Sequence, residues 1–101
     1  MTKVFISQPM KDKTEQEIQE ERADIISRVK EHFSDAEIID SYFTDYKPST
    51  GNVALKYLAK SLERLADADV AFFGKGWQNA RGCKIENECA IQYGIDVYEI
   101  Y

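Results

Sequence analysis

A chain of 101 residues holds one domain and leaves no room for a second. Hydrophobic residues make up 44% and charged residues 31%, the balance of a globular chain rather than a disordered one. A net charge of −5 excludes a nucleic-acid polymer or an anionic membrane as the main partner, since both reward clustered Lys and Arg.

The first residues, Met1-Thr2-Lys3-Val4-Phe5-Ile6, run directly into a strand-like apolar stretch bounded by Ser7-Gln8-Pro9, which predicts a buried first strand over about residues 3–7. No signal-peptide pattern and no apolar run of membrane-spanning length is present, so a cytoplasmic protein is expected. Thr14 followed by Glu17 forms a capping-box pattern and sets a helix start at about residue 14. Ile18, Ile25, Ile26, Val29 and Phe33 then recur at helical spacing. Arg22 and the cluster Glu15, Glu17, Glu20 and Glu21 are expected to face water. The sole histidine, His32, falls near the helix end, where a basic residue suits the C-terminus, and is expected to be structural or solvated.

Ala36–Asp40 reads as the second strand, followed by a polar and aromatic loop from Ser41 to Gly51. Leu55, Leu58, Leu62 and Leu65 mark a second helix, and Asp69–Phe73 a third strand stopped by Gly74-Lys75-Gly76. After a loop through Trp77 to Arg81, a third helix is predicted from about Gly82 to Tyr93, with Gly94 as its C-terminal cap. Ile95–Ile100 is the last strand. The order βαβαβαβ implies a flavodoxin- or Rossmann-like three-layer sandwich with a parallel sheet and right-handed crossovers. The most economical strand order is 2-1-3-4, which places a ligand cleft at the C-terminal strand ends, where the loops Ser7–Lys13, Ser41–Gly51 and Gly74–Arg81 converge.

At about 100° per residue, Ile85, Cys89 and Tyr93 define an apolar stripe on the third helix, with Cys83 and Ala90 beside it. Glu86 falls between these sets, on the buried side, in the first turn of a helix that starts at the cleft. A carboxylate there is costly unless paired, and such groups often serve as acid, base or nucleophile. The same position also suits a glutamate that only offsets the helix dipole. Cys83 and Cys89 do not match a CxxC metal or redox motif and are expected to be small buried residues. Gly74-Lys75-Gly76 lacks the spacing of a dinucleotide fingerprint, no phosphate loop is present, and no residues carry metal-ligand spacing, so neither cofactor nor metal is expected. Trp77 suits either stacking on a ligand ring or lidding the core.

Taken together these segments resemble the nucleoside 2-deoxyribosyltransferase superfamily, in particular a branch of small bacterial and phage proteins. Val4-Phe5-Ile6-Ser7-Gln8-Pro9-Met10 resembles its opening strand and loop, and Ala68–Phe73 its central strand. Gly82-Cys83-Lys84-Ile85-Glu86-Asn87-Glu88-Cys89-Ala90 resembles its G-x-x-x-E-x-x-x-A helix start, and Tyr93-Gly94-Ile95 its helix exit. The resemblance covers nearly all of residues 1–101. It implies that Glu86 is a nucleophile attacking the anomeric carbon of a 2′-deoxyribosyl group, and that Ser7, Gln8, Pro9, Met10, Asp69, Trp77, Asn79, Arg81 and Gly82 contribute to substrate binding. It also implies a homo-oligomer.

Two departures stand out. Ala80 occupies the place where the family transferases carry an Asp six residues before the nucleophile, and Gln8 stands where Gly is common. Arg81 suits a 5′-phosphate, as in the family's hydrolase relatives, or a surface ion pair. The expected function is therefore an N-glycosidic-bond enzyme on 2′-deoxynucleosides or their 5′-monophosphates. The alternative is a non-catalytic nucleotide- or nucleoside-binding module, motivated by Ala80. A flavodoxin-like carrier is disfavoured because no flavin-specific cluster is present.

Overall fold

A computed structural model describes residues 1–100. Its elements in chain order are β1 (Thr2–Ser7), α1 (Glu15–His32), β2 (Ala36–Ile38), α2 (Val53–Leu65), β3 (Val70–Phe73), a 3₁₀ turn (Trp77–Asn79), α3 (Arg81–Gln92) and β4 (Asp96–Glu99). The four strands form one parallel sheet in the order β2-β1-β3-β4. The expected architecture and strand order are therefore present.

The apolar runs of β1 and β3 become central strands because both of their faces are covered. Val4, Ile6, Val70 and Phe72 point to one face and pack with Ile25 and Val29 of α1. Phe5, Ala71 and Phe73 point to the other and meet Leu65 of α2 and Ala90 of α3. A continuous hydrophobic strand, rather than an alternating one, is what a sheet sandwiched between helices requires. The edges are more polar, and β4 exposes Asp96, Tyr98 and Glu99, which discourages further strand addition.

Thr14 caps α1 as its sequence pattern predicts. Its hydroxyl accepts from the Glu17 amide at 3.1 Å, and the Glu17 carboxylate accepts from the Thr14 amide at 3.2 Å. Asn52 caps α2 by accepting from the Leu55 amide at 3.0 Å. After α3 the chain turns at Gly94, whose φ of 75° is left-handed and favours glycine.

Two readings of the sequence are corrected here. Arg22 does not face water: it is 8% exposed, on the same stripe of α1 as the buried Ile18, Ile25 and Val29. The buried stripe of α3 is Cys83, Glu86, Asn87 and Ala90, whereas Ile85 and Tyr93 are 38% and 83% exposed. The sheet meets the 83–86–87–90 side of the helix, which turns Ile85 toward the cleft and Tyr93 to solvent. The second helix forms where its leucines mark it; of the four only Leu65 is buried, and Leu55 is 58% exposed. His32 is exposed as expected, with its ring near Phe72 and Tyr98. Among the described residues no helix is long and apolar enough to cross a membrane.

Candidate functional site

In a parallel sheet every strand ends on the same side, and the order reverses here between β1 and β3. The loops after those strands diverge and leave a crevice. A cleft of about 1130 Å³ opens at that point. Its walls come from the loop after β1, the start of the loop after β2, the N-terminal half of α2 and the first turns of α3. The α2 wall, including Leu55, Tyr57, Leu58 and Ser61, is a contribution that the sequence did not reveal.

Glu86 sits at the bottom, 7% exposed, where the first turns of α3 pass the end of β1. Ser7, the last residue of β1, donates its hydroxyl to Glu86 Oε1 at 2.6 Å. That length belongs to a strong bond to a charged acceptor. Burial pushes the Glu86 carboxyl above the usual carboxylate range, while the hydroxyls of Ser7 and Ser61 pull it the other way. The result is a carboxylate kept partly dehydrated, oriented by the Ser7 hydroxyl and open to a cavity, which suits it to nucleophilic attack on an electrophilic carbon. Cys83, one turn earlier, also lines the cleft. Burial pushes its thiol up to about 11, so it stays protonated and inert near neutral pH.

Ser7→Ala removes a charge-assisted donor and is expected to slow any reaction that uses Glu86 by about ten- to a hundredfold. Because the lost bond had favoured the ionised form, the acid limb of the rate profile should move to higher pH. Rates of the variant measured from pH 4 to 8 test both effects.

Most residues singled out in the sequence converge here. Ser7, Gln8, Pro9, Met10, Asn79, Arg81, Gly82 and Glu86 all line the cleft. The amide of Gln8 is turned into the protein, with Nε2 donating to the Ile18 carbonyl at 3.2 Å and Oε1 accepting from Arg22 at 3.4 Å. Asp69 is not part of the site. It precedes β3, so a parallel sheet places it at the opposite end, where its carboxylate accepts from the Lys3 amide at 2.9 Å. Trp77 is likewise not on the cleft wall; it packs on Phe73 at 5.5 Å between ring centroids and lids the core.

The cleft also gathers residues that the sequence reading passed over. Asp12 is the other carboxylate among the described residues that line it, held at a φ of 63° that few residues other than glycine adopt. Tyr42, Phe43 and Tyr57 supply aromatic wall, with the Lys60 ammonium 5.3 Å from the Phe43 ring centroid on the α2 side. The N-terminus of α3 has no side-chain cap at Ala80, so its first amides stand beside the cleft without intrahelical partners. Among the described residues no cluster of His, Cys, Asp or Glu could hold a metal ion.

Fold and site together define a small α/β domain with a buried carboxylate at the floor of a switch-point cleft. No family model, no curated protein and no solved structure matches the chain. Its chemistry is therefore read from the cleft itself.

Proposed function

We propose that the protein cleaves or transfers the N-glycosidic bond of 2′-deoxynucleosides or their 5′-monophosphates, with Glu86 as nucleophile. The observation that carries this reading is the 2.6 Å bond from Ser7 to a buried carboxylate open to a cleft large enough for a nucleotide. A Glu86 oxygen attacks the anomeric carbon as the C–N bond breaks, and the base leaves with the bonding electrons and takes up a proton. Water or a second base then attacks the same carbon, releases Glu86 and regenerates the carboxylate. Two displacements retain configuration, and a carboxylate suits the oxocarbenium-like transition states of both. Tyr42, Phe43 and Tyr57 offer flat apolar surface for a base, while Arg81 and the free amides of α3 suit a phosphate.

The test is chromatography of 2′-deoxynucleosides and their monophosphates after incubation with the protein, with and without a second base. Base release or exchange that is lost in Glu86→Ala supports the reading. Thermal stabilisation by a nucleotide without turnover favours the second reading, a binding module. Ala80 favours that module, since it places no carboxyl at the start of α3 to protonate a leaving base.

The protein acts, in this reading, as a homo-oligomer in the cytoplasm. Leu55, Leu58, Leu62 and Leu65 keep the alternating three-and-four spacing of a helix–helix seam, yet its outer end is unpartnered, with Leu55 and nearby Ile85 exposed at the cleft mouth. A second copy is the occupant proposed for that seam. Sedimentation should show a dimer or larger at micromolar concentration, and Leu55→Glu should return it to monomer.

A further inference from the structure

Arg22 is the one buried guanidinium of the described residues, and it stands where an apolar side chain would serve the core. Its neighbours on the α1 stripe are Ile18, Ile25 and Val29, all buried. No carboxylate among the described residues comes within ion-pair distance of it. Its partners are neutral and long: Nη1 donates to Gln8 Oε1 at 3.4 Å and to Ser41 Oγ at 3.3 Å, and Nη2 to the Ile39 carbonyl at 3.4 Å. Burial lowers its pKa, with Asp40 opposing, but an arginine keeps its charge. A buried guanidinium with no carboxylate partner and three long neutral hydrogen bonds costs more to remove from water than those bonds return. Stability therefore does not explain why a guanidinium is here.

What the side chain connects does explain it. Gln8 lies just past the end of β1, and its other amide end donates to the Ile18 carbonyl of α1. Ser41 lies just past β2, and its hydroxyl donates to the Ile6 carbonyl at 2.7 Å. Ile6 and Gln8 flank Ser7, whose hydroxyl meets Glu86, and Ser41 leads into Tyr42 and Phe43 of the cleft wall. One planar fork thus spans two separate loops and a helix, a reach that a point charge or an apolar chain does not have.

We propose that Arg22 is a positioning residue for the cleft: it fixes the exit of β1 against the exit of β2, and so sets the floor beside Ser7 relative to the aromatic wall. The inference rests on the glycosidic reading for its kinetic consequence, but not for its structural one. Arg22→Met is expected to keep the unfolding midpoint of the wild type or raise it, while amides of residues 8–13 and 40–46 exchange with deuterium at least about tenfold faster and those of residues 84–90 keep their rates. In turnover, KM should rise about tenfold with kcat changed less than about threefold. Arg22→Lys should fall between, since an ammonium offers its three donors from a single atom and lacks the span of the planar fork.

Unchanged exchange in both loops would overturn the proposal. So would a uniform acceleration through residues 84–90 with a lowered midpoint, which marks a merely structural role. If the wild type turns nothing over, the glycosidic reading fails while the exchange result still decides the role of Arg22. Should Arg22→Met not fold, Arg22→Lys carries the test alone, and wild-type exchange in both loops of that variant would refute the proposal.

Discussion

Glu86→Gln is expected to lower base release or exchange by about a thousandfold or more, because the amide has the shape of the carboxylate but cannot form the covalent sugar intermediate. The same substitution should make the protein more stable at high pH. Burial raises the carboxyl of Glu86 above its ordinary value of 4.5, so the folded state holds the proton more tightly than the unfolded state does. The stability this contributes is complete below the unfolded value and is lost as pH rises through the folded value. A neutral glutamine never bears the cost of a dehydrated charge. Denaturation of wild type and variant should therefore coincide near pH 4 and separate as pH rises, with the variant ahead. If the two stay parallel across that range, the buried charge is not what the folded state carries, and the case for a poised nucleophile weakens with it.

Activity should follow the same proton with the opposite sense. In the proposed reaction the nucleophile is the ionised form, so the rate rises as pH passes the folded-state value, above the ordinary carboxylate range, while stability is lost over the interval from the unfolded value up to that one. A site that costs stability in its working state is what a binding or catalytic carboxylate looks like, whereas a glutamate that served only the helix dipole would gain from being exposed and solvated.

The fold was legible where the chain obeys simple periodicities. Val4-Phe5-Ile6 and Val70-Ala71-Phe72-Phe73 are uninterrupted apolar runs because each strand has helices on both faces, and their alternation with helical patterns gives parallel pairing almost directly. Glu86 was legible too, because its phase on α3 places it between apolar positions. The errors have physical causes. Arg22 sits four residues after Ile18 and three before Ile25, squarely on the apolar stripe, and only its charge suggests a solvated position. Its spacing, taken without its charge, is that of a buried position. On α3 the apolar character of Ile85 and Tyr93 suggests core, but a helix that flanks a cleft can show apolar groups to the cavity and to solvent. Asp69 was separable from the site by strand direction alone, since a residue before a parallel strand lies at the far end from the switch point. The α2 wall and the closing of Gln8 onto Arg22 depend on how loops of irregular backbone settle, and no periodicity encodes that.

Phe73→Ala is expected to cost about 3–5 kcal/mol, a large part of the roughly 5–15 kcal/mol that holds a domain of this size folded. Phe73 is fully buried at the C-terminal end of β3, pairs in register with Ser7, and shares its cluster with Phe5, Leu65 and Ala90. Its ring supports Trp77 from below, and its carbonyl accepts from the Ile100 amide at 2.9 Å. Truncation leaves a void under the turn that launches α3, the helix that carries Glu86. Urea denaturation should show a much lower midpoint with an unchanged slope, since the extent of surface exposed on unfolding stays the same. Where the variant remains folded, Glu86 should also lose function, because the backbone that carries it rests on Ala90 and Phe73 rather than on the ligand side of the cleft. A variant with full stability would mean that α3 is held by its other contacts. A variant with lost stability and intact turnover would mean that the floor of the cleft is built independently of the core beneath it.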